Sequence, residues 1–369
     1  MSSPTRTAVI GYGLAGRVFH CPFIHAVPGL ELTAIVVSNS ERSASAHERY
    51  PSATIVPKFE TALADPTIDL IVVATPNETH FEIAKAALLA GKHVVIDKPI
   101  TTSAAEAREL IDLAKKQGKI LAPYHNRRFD CNFLTVRKLL QEGTLGRITE
   151  VTASFDRFRP LARPNTWKES GFLNGLLYDL GPHLIDEALA LFGPPARITA
   201  FDTTIRDVTH IDDFMQATLE YDVKLPSGET RQLFYHCHAS MVAADPSPRV
   251  RIHGTLGTYT KQTLDPQEAT LIQGARPPEL GSSEPWLPEP ESAWGTLTLG
   301  TRLAEPVELS RQPYPSLTGD YRLYYANVRD AIQVAAPLAI PSEDGYRVLR
   351  LLDLARQSAT ERRTLNVTL

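Results

Sequence analysis

Short apolar runs alternate with helical stretches through the first third of the chain. "TAVIG", "LELTAIVV", "DLIVVAT", "HVVID" and "ILAPY" are nearly unbroken in Val, Ile, Leu and Ala. That is the pattern of parallel strands covered on both faces. The segments between them carry helix punctuation. Asn77 is placed to cap "ETHFEIAKAALLA", which stops at Gly91, and Ser103 with Glu106 has the spacing of a capping box ahead of a helix that stops at Gly118. Strand and helix in this rhythm predict a doubly wound α/β sheet over residues 1–123.

After Tyr124 the period changes. "DCNFLTVRKLLQEG" reads as a helix, and "VTASFD", "FMQATLEY" and "RQLFYHCHAS" then alternate strictly between apolar and polar positions. Period-two alternation predicts a largely antiparallel sheet with one face on a core, and the other face is free for water or for a second copy. The segment 276–315, rich in Pro, Gly, Ser and Glu, reads as a long irregular loop. "DYRLYYANVRDAI" and "GYRVLRLLDLARQSA" read as helices. A second domain over 124–369 is expected.

Composition narrows the classes. A chain of 369 residues is long enough for two domains with real cores. Its 38 basic and 42 acidic residues give a net charge of −4, which argues against nucleic acid or an anionic membrane as partner. Cys21, Cys131 and Cys237 are far apart and odd in number, so neither a disulfide framework nor a cysteine-based zinc site is expected. No metal site is expected elsewhere; His236 and His238 share one strand face without a third ligand at recognisable spacing. With only "MSSPTR" before the first strand and no apolar run near ~18 residues, a soluble, cytoplasmic protein is expected.

Chemistry enters at "VIGYGLAG". Gly11, Gly13 and Gly16 have the G-x-G-x-x-G spacing directly after a strand and ahead of a helix, with Leu14 and Ala15 completing the loop. The first glycine makes the turn, the second admits a pyrophosphate to the backbone, and the third lets helix pack on strand. A dinucleotide cofactor is expected. An NAD site usually closes the second strand with Asp or Glu, but here Ser38 stands at the tip and Arg42 one turn later. A hydroxyl and a guanidinium suit a 2′-phosphate, so NADP is expected ahead of NAD. Glu41 is the competing acid, and a solvated helix start accounts for it.

Two further stretches end strands on the ligand-binding side of such a sheet. One is "ATPNETH", with Thr75, Asn77 and His80; the other is "IDKPI", with Asp97 and Lys98. A lysine at a strand tip held by a following proline is a candidate for function. In "YDLGPHLID", Asp179 and His183 are four apart, and on one continuous helix they would share a face. A carboxylate beside an imidazole orients a general base.

"GYGLAG", "ATPNETH", "GKHVVIDKP", "YHNRRFD" and "YDLGPH" together resemble, in order and spacing, the Gfo/Idh/MocA family of sugar and cyclitol oxidoreductases. The resemblance covers almost the whole chain and is greatest to the branch of NADP-dependent scyllo-inositol dehydrogenases. The family's E-K-P appears as Asp97-Lys98-Pro99, and its D-x-x-x-H motif falls on Asp179 and His183. The resemblance implies an N-terminal Rossmann domain, a C-terminal α/β domain on an open, mostly antiparallel sheet, and a homodimer or homotetramer formed through that sheet. It further implies catalysis by Lys98, Asp179 and His183 on a small sugar or cyclitol. Tyr124, Asn126, Arg157 and Tyr178 would line the substrate pocket with Lys98 and His183, and Trp167 would stack on a ring. His20 and Pro22 would bend the first helix, and His80 would pack near the cofactor. Two other chemistries share these motifs: a glycosidase using NAD in a transient oxidation, and a nucleotide-sensing regulator. Ser38 and Arg42 weigh against the first, and Lys98, Asp179 and His183 together weigh against the second.

Overall fold

The computed structural model describes residues 3–162, 169, 175–207, 209–302 and 304–369. Six parallel strands are laid in the order 3-2-1-4-5-6: β1 (Thr5–Ile10), β2 (Leu30–Val36), β3 (Thr54–Val56), β4 (Leu70–Val73), β5 (His93–Ile96) and β6 (Leu121–Pro123). This is the Rossmann order. The central strand β4 is buried at every position, and β1 is buried at five of its six, as its unbroken apolar run requires. Of these strands, β3 has no apolar run to announce it: three residues, exposed to half-buried, held by pairing with β2.

Local punctuation behaves unevenly. Gly118 closes the Ala104–Gln117 helix in the left-handed conformation at φ +62°. Ser103 Oγ accepts the Glu106 N–H at that helix's start, but the Glu106 carboxylate reaches the Thr102 amide and hydroxyl, so only half of a capping box forms. Asn77 caps nothing. It opens a single tight turn, Asn77–Thr79, and the helix proper runs His80–Leu89 with no side-chain cap. Pro76 fixes the preceding backbone, and the Thr79 hydroxyl donates to the Pro76 carbonyl (2.8 Å).

The same compact unit takes in residues 1–129, 266–287 and 320–346. Its core joins Val9, Ile35 and Val72 of the sheet to Trp286, Tyr321, Tyr325, Val328 and Ile340. Two late pieces of chain are therefore part of the Rossmann core.

The second unit comprises residues 130–265, 288–319 and 347–369. Nine strands form its sheet: β7 (Ile148–Asp156), β8 (Arg197–Thr203), β9 (Phe214–Lys224), β10 (Thr230–Ser240), β11 (Val250–Gly254), β12 (Gly257–Lys261), β13 (Gly295–Arg302), β14 (Glu308–Tyr314) and β15 (Leu365–Asn366). The order is 14-13-12-11-7-10-9-8-15, antiparallel except for the parallel β7–β10 pair. Met215, Ala217, Leu219, Leu233, Tyr235, Cys237, Val151, Ala153 and Phe155 are buried on one face, as the alternation predicts. The segment 276–315 is not one long loop. It holds β13 and β14, which extend the sheet to its edge. An edge strand tolerates Pro313 because one side of it needs no partner, and the exposed β14 has no apolar face to reveal it.

Candidate active site

The glycine loop is built as its spacing requires. Gly11 has φ +103°, and a Cβ there would strike the Ala74 carbonyl. A Cβ on Gly16 would strike the Gly11 carbonyl, so the helix that follows lies directly on the turn. At Gly13 nothing lies within 4 Å of the same position. The backbone is open on that side, the opening a pyrophosphate needs. Leu14 precedes a widened, π-helical stretch, Ala15–His20, where the Cys21 N–H reaches back to the Gly16 carbonyl. Pro22, which has no N–H to give, then starts an ordinary helix over Cys21–Ala26.

Ser38 lies just past the tip of β2 and is exposed. Asn39 caps the helix Ser40–Arg49, its Oδ1 accepting the Arg42 N–H at 2.9 Å. Arg42 and Glu41 are both exposed in that first turn. No hydrogen bond or ion pair holds the Arg42 guanidinium among the described residues. A phosphate on the cofactor ribose would find Ser38 and Arg42 available at the tip of β2.

At the tips of β4 and β5 the cofactor candidates knit together. Thr75 Oγ1 lies 2.7 Å from the Thr79 hydroxyl, and Asn77 is half-buried beside them. His80 is fully buried between two carbonyls, with Nδ1 2.8 Å from that of Pro99 and Nε2 2.9 Å from that of Thr75; the neutral ring donates to one of them. Burial lowers its pKa, against the opposing pull of Asp97 and the two carbonyls. His80 thus ties the β4 tip to the turn that carries Lys98. The Lys98–Pro99 peptide is cis. Asp97 Oδ1 accepts the Lys98 backbone N–H at 2.8 Å. Burial would raise the Asp97 carboxyl, but His20, Lys98 and His80 outweigh it and hold the group below its ordinary range.

Tyr124, expected in a substrate pocket, is buried, with its hydroxyl donating to the Phe19 carbonyl (2.7 Å) and its ring against His20. Asn126 is buried at the start of the tight turn Asn126–Phe129. Trp167 lies outside the described residues.

In the second unit, "YDLGPHLID" is two helical pieces rather than one. Leu176–Asp179 forms a single turn, Leu180 departs to φ −111°, and a new helix runs Gly181–Phe192. Asp179 therefore ends one piece while His183 sits in the first turn of the next. Pro182 is accepted because it falls in that first turn. His183 is 7% exposed, 6.0 Å from the Phe155 ring, and its amide donates to the Leu180 carbonyl. Tyr178 is buried under the Arg356 guanidinium, 5.4 Å above the ring. Burial raises its hydroxyl pKa, with Arg356 opposing. Arg157 is partly buried, its amide on the Ser240 carbonyl.

The residues that fix these pieces carry little local signal. Asp212 accepts from the Leu177 amide and pairs with Arg356, which also pairs with Asp202. A Cβ on Gly175 would strike the Asp212 carboxylate, which would have to shift to admit it. Glu187, on the helix of His183, pairs with the buried Arg249, whose guanidinium lies 4.2 Å over Phe155. His236 faces Glu150 (3.8 Å) and His238 faces Asp156 (3.2 Å) on the open side of the sheet.

Two family models divide the chain at the change of period. Residues 5–125 match the NAD-binding Rossmann fold of the GFO_IDH_MocA oxidoreductase family, and residues 137–369 match that family's C-terminal alpha/beta domain. The chain belongs to the Gfo/Idh/MocA family. It is 40% identical to the Escherichia coli oxidoreductase YdgJ over 99% of both chains. It is 34% identical to IolW of Bacillus subtilis, a scyllo-inositol 2-dehydrogenase (NADP(+)), covering 98% of this chain and 95% of that one. Among solved structures, the yvaA oxidoreductase of Bacillus subtilis superposes with a TM-score of 0.90 at 33% identity, over 99% of each chain. As a Gfo/Idh/MocA oxidoreductase, the protein has a cofactor domain whose glycine loop fits a dinucleotide on the geometry given above. Asn39 was missed from the sequence, although an Asn three residues before Arg42 at a helix start is a legible cap. Arg249 and Glu187, 62 residues apart, had no such signal.

Proposed function

We propose that this oxidoreductase exchanges a hydride between NADP and a secondary alcohol or ketone of a cyclitol or sugar, with scyllo-inositol the first substrate to try. The observation that carries this reading is Lys98: it stands at the tip of β5, on the same strand-end edge as the glycine loop after β1. IolW, named for NADP and scyllo-inositol, supports the finer choice. So do Ser38 and Arg42, exposed where no carboxylate is fixed at the strand tip.

Gly11, Gly13, Leu14, Ala15 and Gly16 would hold the pyrophosphate, with Ser38 and Arg42 on the 2′-phosphate and Thr75, Asn77, His80 and Asp97 shaping the site beyond. Bound nicotinamide supplies the hydride chemistry. The rest falls to the chain. His183 takes the hydroxyl proton in oxidation and returns it in reduction, since imidazole titrates near neutral pH. Lys98 donates to the same oxygen and stabilises the charge that develops there. Asp179 orients His183. Arg157, Tyr178 and Asn126 offer polar groups to a polyol; Tyr124, its hydroxyl donating to Phe19, shapes the wall.

The test is nicotinamide absorbance with NADP or NAD against a panel of inositols, aldoses and their keto forms. Turnover with scyllo-inositol and NADP is expected, and Lys98→Met and His183→Asn should each lower kcat by about 100-fold or more. Cofactor retained without net turnover, together with cleavage of glycosides, would favour the transient-redox glycosidase instead. The open face of the nine-stranded sheet, with Phe201 49% and Phe234 38% exposed, is proposed to pair with a second copy. Light scattering should report a dimer or tetramer that Phe234→Glu weakens.

A further inference from the structure

His20 is fully buried in the Rossmann unit and has no part in the chemistry above. It ends the widened stretch after the glycine loop. Its Nδ1 lies 2.6 Å from the Tyr325 hydroxyl, on the helix Arg322–Gln333. Among the described residues its Nε2 makes no hydrogen bond, and it lies 3.8 Å from Asp97 Oδ2. The other Asp97 oxygen holds the Lys98 amide. Three remote pieces of chain therefore converge on the residue beside Lys98.

The contact admits two directions, and the Asp97 carboxylate discriminates between them: Nδ1 donating to Tyr325 would leave a bare Nε2 facing that carboxylate, whereas Tyr325 donating to Nδ1 puts a proton there. Tyr325 is fully buried, which pushes its hydroxyl well above the ordinary range, so it keeps its proton. If Tyr325 donates to Nδ1, the ring proton of a neutral His20 must sit on Nε2. If the ring is doubly protonated, Nε2 carries a proton again. In both cases an N–H faces the Asp97 carboxylate. At 3.8 Å this is too long for a direct hydrogen bond, but a shift of under about 1 Å would close it. The Tyr124 ring, 4.3 Å away, limits how the imidazole can turn.

We propose that Tyr325, His20 and Asp97 form a positioning relay for Lys98: Tyr325 fixes the His20 tautomer, His20 holds Asp97, and Asp97 holds the lysine's backbone. The proposal rests on Lys98 being the lysine that meets the substrate oxygen. His20 and Tyr325 are positioning residues and touch no substrate. The groups around Asp97 are His20 from the glycine-loop helix, His80 from the helix His80–Leu89, Tyr324 and Tyr325 from Arg322–Gln333, and Lys98 beside it. Among these, His20, Lys98 and His80 favour the charged carboxylate against burial. Without His20 burial is less opposed, and Asp97 takes up its proton at a higher pH.

The first test is ring-nitrogen NMR of the histidines in the full chain at neutral pH, with His20 assigned through His20→Gln. A protonated Nε2 is expected, and Tyr325→Phe, which removes one oxygen, should give a mixture of tautomers. A wild-type ring with its only proton on Nδ1 overturns the relay. The second test is NADP-linked oxidation of scyllo-inositol. Tyr325→Phe and His20→Phe should each lower kcat by about tenfold, the scale of a sub-ångström misplacement, with KM for NADP within about twofold. The acid limb of the kcat profile should move to higher pH in His20→Phe, and His20→Gln, which keeps an N–H, should recover part of kcat. Unchanged kcat and acid limb in both variants overturn the relay. Full turnover in Lys98→Met overturns the lysine's role, and with it the relay's purpose. Absence of turnover overturns the substrate choice alone and leaves the ring spectrum to decide the relay.

Discussion

Gly11 and Gly13 stand two residues apart in one loop under different constraints. At Gly11 both the φ of +103° and the Ala74 carbonyl oppose a side chain, so Gly11→Ala should lower stability by about 2 kcal/mol or more. At Gly13 a methyl meets no protein atom within 4 Å. Gly13→Ala should leave the urea midpoint within about 0.5 kcal/mol of the parent, yet weaken NADPH binding by about tenfold in a fluorescence titration, because the methyl occupies the space of a phosphate. Equal loss of stability in both variants would contradict that division of roles. A second residue-scale prediction concerns cofactor choice. Arg42→Ala should weaken NADP relative to NAD by about tenfold, the value of one charge-assisted hydrogen bond, and Ser38→Asp should move the preference further toward NAD. The glycines were legible from spacing because their roles are local. Tyr124 was not: a motif gives its place in the chain, whereas its hydroxyl's partner, the Phe19 carbonyl, lies 105 residues away.

At the scale of elements, the helix Gly181–Phe192 shows where local reading stops. Its Gly-Pro start was legible; the break at Leu180 was not, because four-residue spacing cannot register an interruption between two helical pieces. What seats this helix is also non-local. Gly181 lies against Leu352 and Met215, where a Cβ would come within 3.1 Å of Leu352 Cδ2, and Glu187 pairs with Arg249, both almost fully buried. Arg249→Met strands the Glu187 charge and should cost about 3–5 kcal/mol in urea unfolding. Adding Glu187→Leu removes the stranded charge, and the double variant should recover most of the loss. If the double variant is no better than the single one, the guanidinium's packing on Phe155, rather than its charge, is what the helix needs. The segment 276–315 teaches the same limit. Strand β13 is specified by pairing with β12 and β14 by pairing with β13, and a composition rich in proline hides an edge strand whose side chains, Tyr314 apart, face water.

Across the whole molecule, the change of period near Tyr124 was legible, and family models meet the chain on either side of it. The return of residues 266–287 and 320–346 to the first core was not, since apolar positions such as Trp286 and Val328 do not name the core they enter. The pH response of stability follows from groups in that unit. His93, at the start of β5, accepts the Ile120 N–H on Nδ1 (3.0 Å), a bond that requires a bare nitrogen. Burial, aided by Lys119 and opposed by Asp69, lowers its pKa to about 4. His80 is lowered in the same direction, again chiefly by burial. In the unfolded chain both rings return toward 6.5. Between about pH 6.5 and 4 the unfolded state thus binds more protons, and stability falls as pH is lowered through that window. Asp97 acts in a lower one: its depressed carboxyl contributes stability above the ordinary carboxylate range and loses it as pH falls through the folded value. Urea unfolding from pH 7 to 4.5 should therefore show a steady loss of stability in the parent. His93→Asn keeps an acceptor for the Ile120 amide but cannot take up a proton in this range, so its profile should be flatter. A slope unchanged by His93→Asn would assign the loss to His80 or to the carboxylates and remove His93 from the account.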